Sequence, residues 1–125
     1  MAKMIVSDRY IQREGIYIRR DNPVPFLYND GDDCENYILD AIKKVKDLRT
    51  GSLELQGYIR DWQTLYHFAP QRADLLRPFA GFLSNKKILE IGSGCGAITR
   101  FLGETGADVI ALEGSLRRAT ITDAR

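Results

Sequence analysis

One histidine, one tryptophan, two cysteines and four prolines are all that this 125-residue chain has of the residues that most often build metal sites, disulfide frameworks and proline-rich linkers. Each scarcity removes a class of answer. Cys34 and Cys95 sit in no CxxC pair and beside no histidine, so neither a zinc site nor a disulfide framework has ligands to start from. Charge of one sign is also lacking. The 18 Lys and Arg against 17 Asp and Glu leave a formal charge of +1, too little to hold nucleic acid or an anionic membrane surface. No apolar run approaches the roughly 18 residues of a membrane span, and the start, "MAKMIVSDRYIQ", lacks the basic-then-apolar layout of a secretory leader. The expectation is a cytoplasmic chain holding one small domain or part of one, with no nucleic-acid, membrane or metal partner.

What is present divides into two regions, 1–85 and 86–125. Over 3–32, β-branched and aromatic residues come in short runs interrupted by Pro23 and Pro25, which predicts short strands or a hairpin of edge character. From Asp33, read as an N-cap, Ile38, Ala41, Ile42, Val45 and Leu48 fall on one helical face, with Gly51 past its end. Lys43, Lys44 and Lys46 lie off that stripe as a solvated face. A second helical stretch covers 52–68, weakened at Gly57. Pro70 suits the start of a further helix with Leu75, Leu76 and Phe79 on one side, which Pro78 should end or kink near Arg77. Trp62 and Tyr66, one turn apart, read as core. The first region is therefore a mostly helical lead-in with short strands.

The second region carries the chemistry. "KKILEI", 86–91, reads as a strand buried on both faces, and Gly92, Gly94 and Gly96 follow at once, able to take positive φ and to let a ligand approach the main chain. Ile98, Phe101 and Leu102 then pattern a helix from Ala97 to Thr105, stopped by Gly106, and "DVIALE" is a second buried strand ending in Glu113. Strand, glycine turn, helix, strand and acid make a βαβ unit, and an acid about 20 residues beyond the loop is where a nucleoside ribose is gripped. A glycine turn that only tightens packing beside an incidental surface Glu113 is the blander reading. Gly92, Gly94 and Ala97 also satisfy a G-x-G-x-x-A dinucleotide pattern, so an NAD-dependent oxidoreductase is one enzyme candidate. Two features favour S-adenosylmethionine instead: the third glycine at 96, and Glu90, a carboxylate that would attract an ammonium and a sulfonium and repel a pyrophosphate. Glu90 has its own bland alternative as a strand-end acid facing water. Arg117, Arg118 and Arg125 read as the solvated face of a last helix that Ser115 caps.

The stretch "ILEIGSGCGAITRFLGETGADVIALEGS" resembles the first two cofactor motifs of the class I S-adenosylmethionine-dependent methyltransferases. That resemblance implies an incomplete Rossmann-like α/β fold, its first βαβ unit preceded by the helical lead-in. It also implies roles. Glu90 would orient the methionine amino group, Gly92, Ser93, Gly94 and Gly96 would form the loop beneath the cofactor, Glu113 would bind the ribose hydroxyls, and Gly114 and Ser115 would border the adenine. "RDWQTLYHFAPQRADLLRPF" is similar to the lead-in of bacterial methyltransferase modules associated with glycosyltransferases and surface-polysaccharide synthesis, which makes a sugar hydroxyl a candidate acceptor. In such a lead-in Arg72 would pair with the methionine carboxylate, and His67 is a candidate base. The family's sheet has more strands than the two counted here, so the chain is expected to be the N-terminal part of a longer enzyme, inactive alone, or to need a partner chain. A non-catalytic nucleoside-binding or interaction module is the alternative from another class.

Overall fold

The computed structural model describes residues 8–21 and 26–125, so Pro23 and Pro25, and the strand expectation over 3–7, lie outside the described residues. The architecture is mixed α/β, with four short strands and six α-helices among the described residues, compatible with a partial Rossmann-like fold. Strands β1 (Tyr10–Arg13) and β2 (Ile16–Arg19) form an antiparallel hairpin in which Tyr10 pairs with Arg19 and Arg13 with Ile16. The expected hairpin is thus present over 10–19. Two residues make its turn, and a Cβ on Gly15 would collide with the Asp123 carboxyl, so a glycine lets the hairpin tip seat against the last helix.

Helix α1 (Asp32–Lys44) carries the predicted apolar stripe, and Ile38, Ala41 and Ile42 are buried in the core. Its ends differ from expectation. Gly31, at φ 92°, holds the N-cap position in place of Asp33, which joins Asp32 and Glu35 in the first turn, where acids favour the helix dipole. The helix stops at Lys44. Val45 is extended, yet Val45 and Leu48 still pack on the core from the following loop, which is why their spacing read as helical. Lys43, Lys44 and Lys46 are exposed as expected.

The stretch 52–68 is two helices rather than one. Helix α2 (Leu53–Gln56) ends at Gly57, and α3 (Trp62–Phe68) restarts with a capping box in which Asp61 and Thr64 satisfy each other's backbone amides. Trp62 is 73% exposed and Tyr66 45%, so neither is core; the buried side of α3 is Thr64, His67 and Phe68. Beyond it the expected helix is replaced by two short 3₁₀ turns, Pro70–Ala73 and Arg77–Phe79, with a proline at the first and second position respectively, and then α4 (Ala80–Leu83). Pro78 breaks the continuity at Leu76 because it has no N–H to give.

Strands β3 (Lys87–Ile91) and β4 (Asp108–Leu112) pair in parallel with Leu89 opposite Ile110 and Ile91 opposite Leu112, linked through α5 (Ala97–Glu104). Gly106, at φ 85°, lies just past α5, as its sequence position predicts. Burial on both faces is not what the structure shows. Leu89 and Ile91 are 61% and 77% exposed, and Ile110 and Leu112 extend the same open apolar face. No helix of the described residues is long and apolar enough to cross a membrane. Helix α6 (Leu116–Ala124) returns across α1, and Ile121 closes a core shared with Ile38, Ala41, Ile42, Leu55, Phe68 and Cys95.

The residues at the centre of this core are fully enclosed, so truncation should open a cavity that the packed helices cannot collapse to fill. Ile38→Ala is expected to destabilise the chain by about 2–5 kcal/mol in urea unfolding, whereas Leu75→Ala, at an exposed side chain, should change stability by less than about 0.5 kcal/mol.

Candidate functional site

The glycine loop runs from the end of β3 into α5, and its shape follows from positive φ at all three glycines: 77° at Gly92, 59° at Gly94 and 80° at Gly96. Only glycine takes these values without strain. Their surroundings separate their roles. A Cβ on Gly92 or Gly94 would meet nothing, so these two lie open toward a cavity, whereas one on Gly96 would press within 3.1 Å of the Thr122 backbone. Gly96 therefore serves the close approach of α6 to the loop.

That cavity, of about 660 Å³, lies between the loop and the hairpin and is large enough for a nucleoside-sized ligand. Of the residues singled out in the sequence, Glu90, Gly92, Ser93, Gly94, Glu113 and Gly114 line it, and Gly96 and Ser115 do not. Ser115 instead caps α6, its Oγ accepting from the Arg118 amide. Glu113 ties the floor together: its carboxylate accepts from the Gly94 amide at 2.7 Å and from the Ser115 amide at 2.9 Å. Two acceptor sites remain of the roughly four that a carboxylate offers. A Cβ on Gly114 would fall 2.7 Å from the Phe26 ring, so an aromatic face covers this glycine.

Glu90 is half-buried and accepts from the Thr99 hydroxyl. Burial pushes its pKa up; the Thr99 hydrogen bond pulls it down, and the neighbouring Glu113 carboxylate adds to the rise. Two acids thus share this wall. Ser93 is buried in the loop, and its Oγ has no hydrogen-bond partner among the described residues, a state that costs on the order of 1–3 kcal/mol unless something completes it. Across the cavity, Arg72 stacks over the Tyr66 ring at 3.8 Å and pairs with no carboxylate of the described residues.

Beneath the hairpin lies a polar cluster. Arg118, 6% exposed, donates through Nε to Glu35 Oε1 at 2.8 Å and through Nη2 to Asp30 Oδ2 at 2.7 Å, and His67 Nε2 reaches the same Asp30 oxygen at 2.8 Å. The reading of Arg117, Arg118 and Arg125 as a solvated face holds for Arg117 and fails for Arg118 and Arg125. Arg118 is buried, Arg125 donates to the His67 carbonyl, and Arg117 pairs with Asp32 at the surface. A signal was available: Arg118 falls one turn from Ile121, and Glu35 one turn from Ile38, so each places a charge on an apolar stripe. Opposite charges on the buried faces of two helices are the mark of an internal ion pair. Cys95 lies in the same interior, and burial raises its thiol pKa to about 12, which leaves it unreactive at neutral pH.

The comparisons with known proteins bear on this geometry at one level. The chain is 32% identical over 72 residues to a ubiquinone biosynthesis O-methyltransferase of Aliivibrio fischeri strain ES114, covering 58% of this chain and 30% of that protein. The counterpart in strain MJ11 is 31% identical over the same length and coverage. The chain thus spans about 30% of the length of the curated relatives it matches. No family model matches the chain. No solved structure matches it. This distant similarity supports a methyltransferase-type function in general.

The buried pair sets a stability prediction. Arg118→Met alone should cost about 3–5 kcal/mol because it strands the Glu35 carboxylate in the interior, and adding Glu35→Leu should recover most of that loss. Thermal or urea unfolding of the two variants checks the order.

Proposed function

We propose that this chain is the cofactor-binding part of an S-adenosylmethionine-dependent O-methyltransferase. The observation that carries the proposal is the pair of carboxylates, Glu90 and Glu113, set on the cavity wall beside a glycine loop whose Ser93 hydroxyl is buried without a partner. A cation bearing hydroxyls and amines fits such a wall. In this reading Glu90 holds the methionine ammonium, Gly92, Ser93 and Gly94 lie beneath the cofactor, Glu113 takes the ribose hydroxyls on its two spare acceptor sites, and Gly114 with Phe26 borders the adenine. Arg72, on the opposite wall, takes the methionine carboxylate. Gly96 and Ser115 support the loop and α6 without lining the cavity.

The same features disfavour the dinucleotide alternative. A pyrophosphate needs open loop amides and a neutral or basic surround. Here the Gly92 and Ser93 amides donate to the Leu112 carbonyl, the Gly94 amide donates to Glu113, and the Gly96 amide donates to the Ser93 carbonyl. Two nearby acids would add repulsion.

The bound cofactor supplies an electrophilic methyl group, and the chain's contribution is to fix it in line with an acceptor oxygen, where alignment provides much of the rate. The similarity to relatives named ubiquinone biosynthesis O-methyltransferase favours a hydroxyl acceptor, on a ring or a sugar. Phe26, Tyr28, Tyr17 and Tyr66 give the cavity flat apolar faces suited to either. In the same reading the open face of β3 and β4 is covered in the intact enzyme by further strands and helices, from the same chain or a partner. A non-catalytic module would bind the cofactor equally well and would show no transfer even with that remainder supplied.

Calorimetric titration with S-adenosylhomocysteine tests the cofactor. Binding is expected that NADH does not displace, and Glu113→Gln should weaken it by about tenfold to a hundredfold, the loss of one or two charge-assisted hydrogen bonds. Binding should also weaken as pH falls through the raised pKa of Glu90, because protonation removes the charge that faces the ammonium. Glu90→Gln should flatten that dependence. Displacement by NADH, or affinity indifferent to both substitutions, would contradict the proposal.

A further inference from the structure

His67 is the single histidine of the sequence, and its ring is held in one orientation. It projects from the buried side of α3, edge-on to Tyr66 with ring centres 5.2 Å apart. Asp30 Oδ2 takes both Arg118 Nη2 and His67 Nε2. An oxygen paired to a guanidinium accepts and does not donate, so the imidazole proton sits on Nε2 and the lone pair on Nδ1. No described residue hydrogen-bonds to Nδ1, and His67 forms part of the wall of the cavity that Glu90, Glu113 and the glycine loop also line.

The charged groups around the ring come from the segment before α1 and from α6. Asp30 leads into α1 and favours the protonated ring, while Arg118 in α6 and Arg125 at the end of α6 oppose it. Burial is the largest influence and also opposes it, so the pKa lies below its ordinary value of 6.5. At neutral pH the imidazole is uncharged and able to take a proton.

We propose that His67 is the general base of the methyl transfer, with Asp30 as its positioning residue. This rests on the cofactor reading given above. The acceptor O–H gives its proton to Nδ1 as the oxygen lone pair forms the new O–CH₃ bond. The carbon–sulfur pair returns to sulfur, turning the sulfonium into a neutral thioether, and the proton passes from the imidazolium to solvent. Such a base suits an acidic hydroxyl. A phenol, with a pKa near 10 as in tyrosine, lies closer to an imidazole than an aliphatic hydroxyl does, which lies several units further up. The site is thereby matched to an aromatic hydroxyl in preference to a sugar.

Because only one histidine is present, its nitrogen resonances and its acylation by diethyl pyrocarbonate report on this ring alone. In the ¹⁵N-labelled wild-type chain we expect the Nε2–H tautomer at pH 7 and, because the side chain is only 3% exposed, slow carbethoxylation in the folded state through the cavity. Catechol, added with S-adenosylhomocysteine, should shift the Nδ1 resonance and slow the acylation. Asp30→Asn should mix the tautomers while S-adenosylhomocysteine still binds. An Nδ1–H tautomer, a ring that acylates only after unfolding, or an Nδ1 resonance unmoved at saturating catechol would overturn the proposal. Absence of S-adenosylhomocysteine binding would contradict the cofactor reading separately, and the tautomer and acylation of the ligand-free chain would still decide the role of His67.

Discussion

The ion pair between Arg118 and Glu35, extended to Asp30 and His67, is the contact on which the arrangement of this molecule depends. It joins α6, which follows the glycine-loop unit, to α1 and the segment before it, residues more than eighty positions apart in the chain, and through Asp30 to His67 of α3. Apolar packing alone does not fix how two helices slide on one another. A buried guanidinium that must satisfy two carboxylates does, because any displacement leaves a charge unpaired in a medium that penalises it heavily. The pair has a desolvation cost, and a well-packed apolar replacement of both partners would be no less stable. Its contribution is to register, and register places the hairpin, Asp30 and His67 across from the glycine loop.

Around that fixed frame, the three glycines divide their work. Gly92 and Gly94 leave the loop surface bare toward the cavity, and Gly96 admits α6. The amides of Gly92, Ser93, Gly94 and Gly96 are spent on Leu112, Ser93 and Glu113, which braces the floor and gives side chains a large part in recognition. The side chains offered are two acids and an unpartnered serine on one wall, and an arginine stacked on tyrosine on the other. Their sign is the useful point. An opposite charge at about 4 Å is worth on the order of 4 kcal/mol at a protein surface, and a like charge costs as much, so this wall discriminates a cationic ligand from an anionic one before any finer contact is made.

The βαβ unit was legible in the sequence nearly to the residue. β3, the loop, α5 with Gly106 behind it, β4 and the Ser115 cap all follow from local rules: apolar runs, positive-φ glycines and a capping hydroxyl. The lead-in was legible in kind and less so in extent. Val45 and Leu48 kept helical spacing while packing from a loop, and the 3₁₀ turns at Pro70 and Pro78 replaced a helix that apolar spacing alone had suggested. Trp62 and Tyr66 read as core because one turn separates them, but α3 buries its opposite side. The exposed face of β3 and β4 could not be read locally, since burial of a strand depends on neighbours that its own sequence does not name. Arg118 was misplaced because a charge is assumed to face water; only its position with Ile121 on an apolar stripe, matched by that of Glu35 with Ile38, pointed inward. Asp30, Phe26 and the hairpin wall carried no local signal, because they reach the cavity through tertiary contacts alone.

The central claim is that the cavity between the glycine loop and the hairpin receives the cofactor. Backbone amide spectra of the ¹⁵N-labelled chain, recorded during titration with S-adenosylhomocysteine, test it most directly. The account predicts that the amides of Gly92, Ser93, Gly94 and Gly114 move together with those of Ile16 to Ile18 in the hairpin, while those of α2, which does not line the cavity, stay in place. Binding that shifts amides elsewhere and leaves the glycine loop untouched would contradict it.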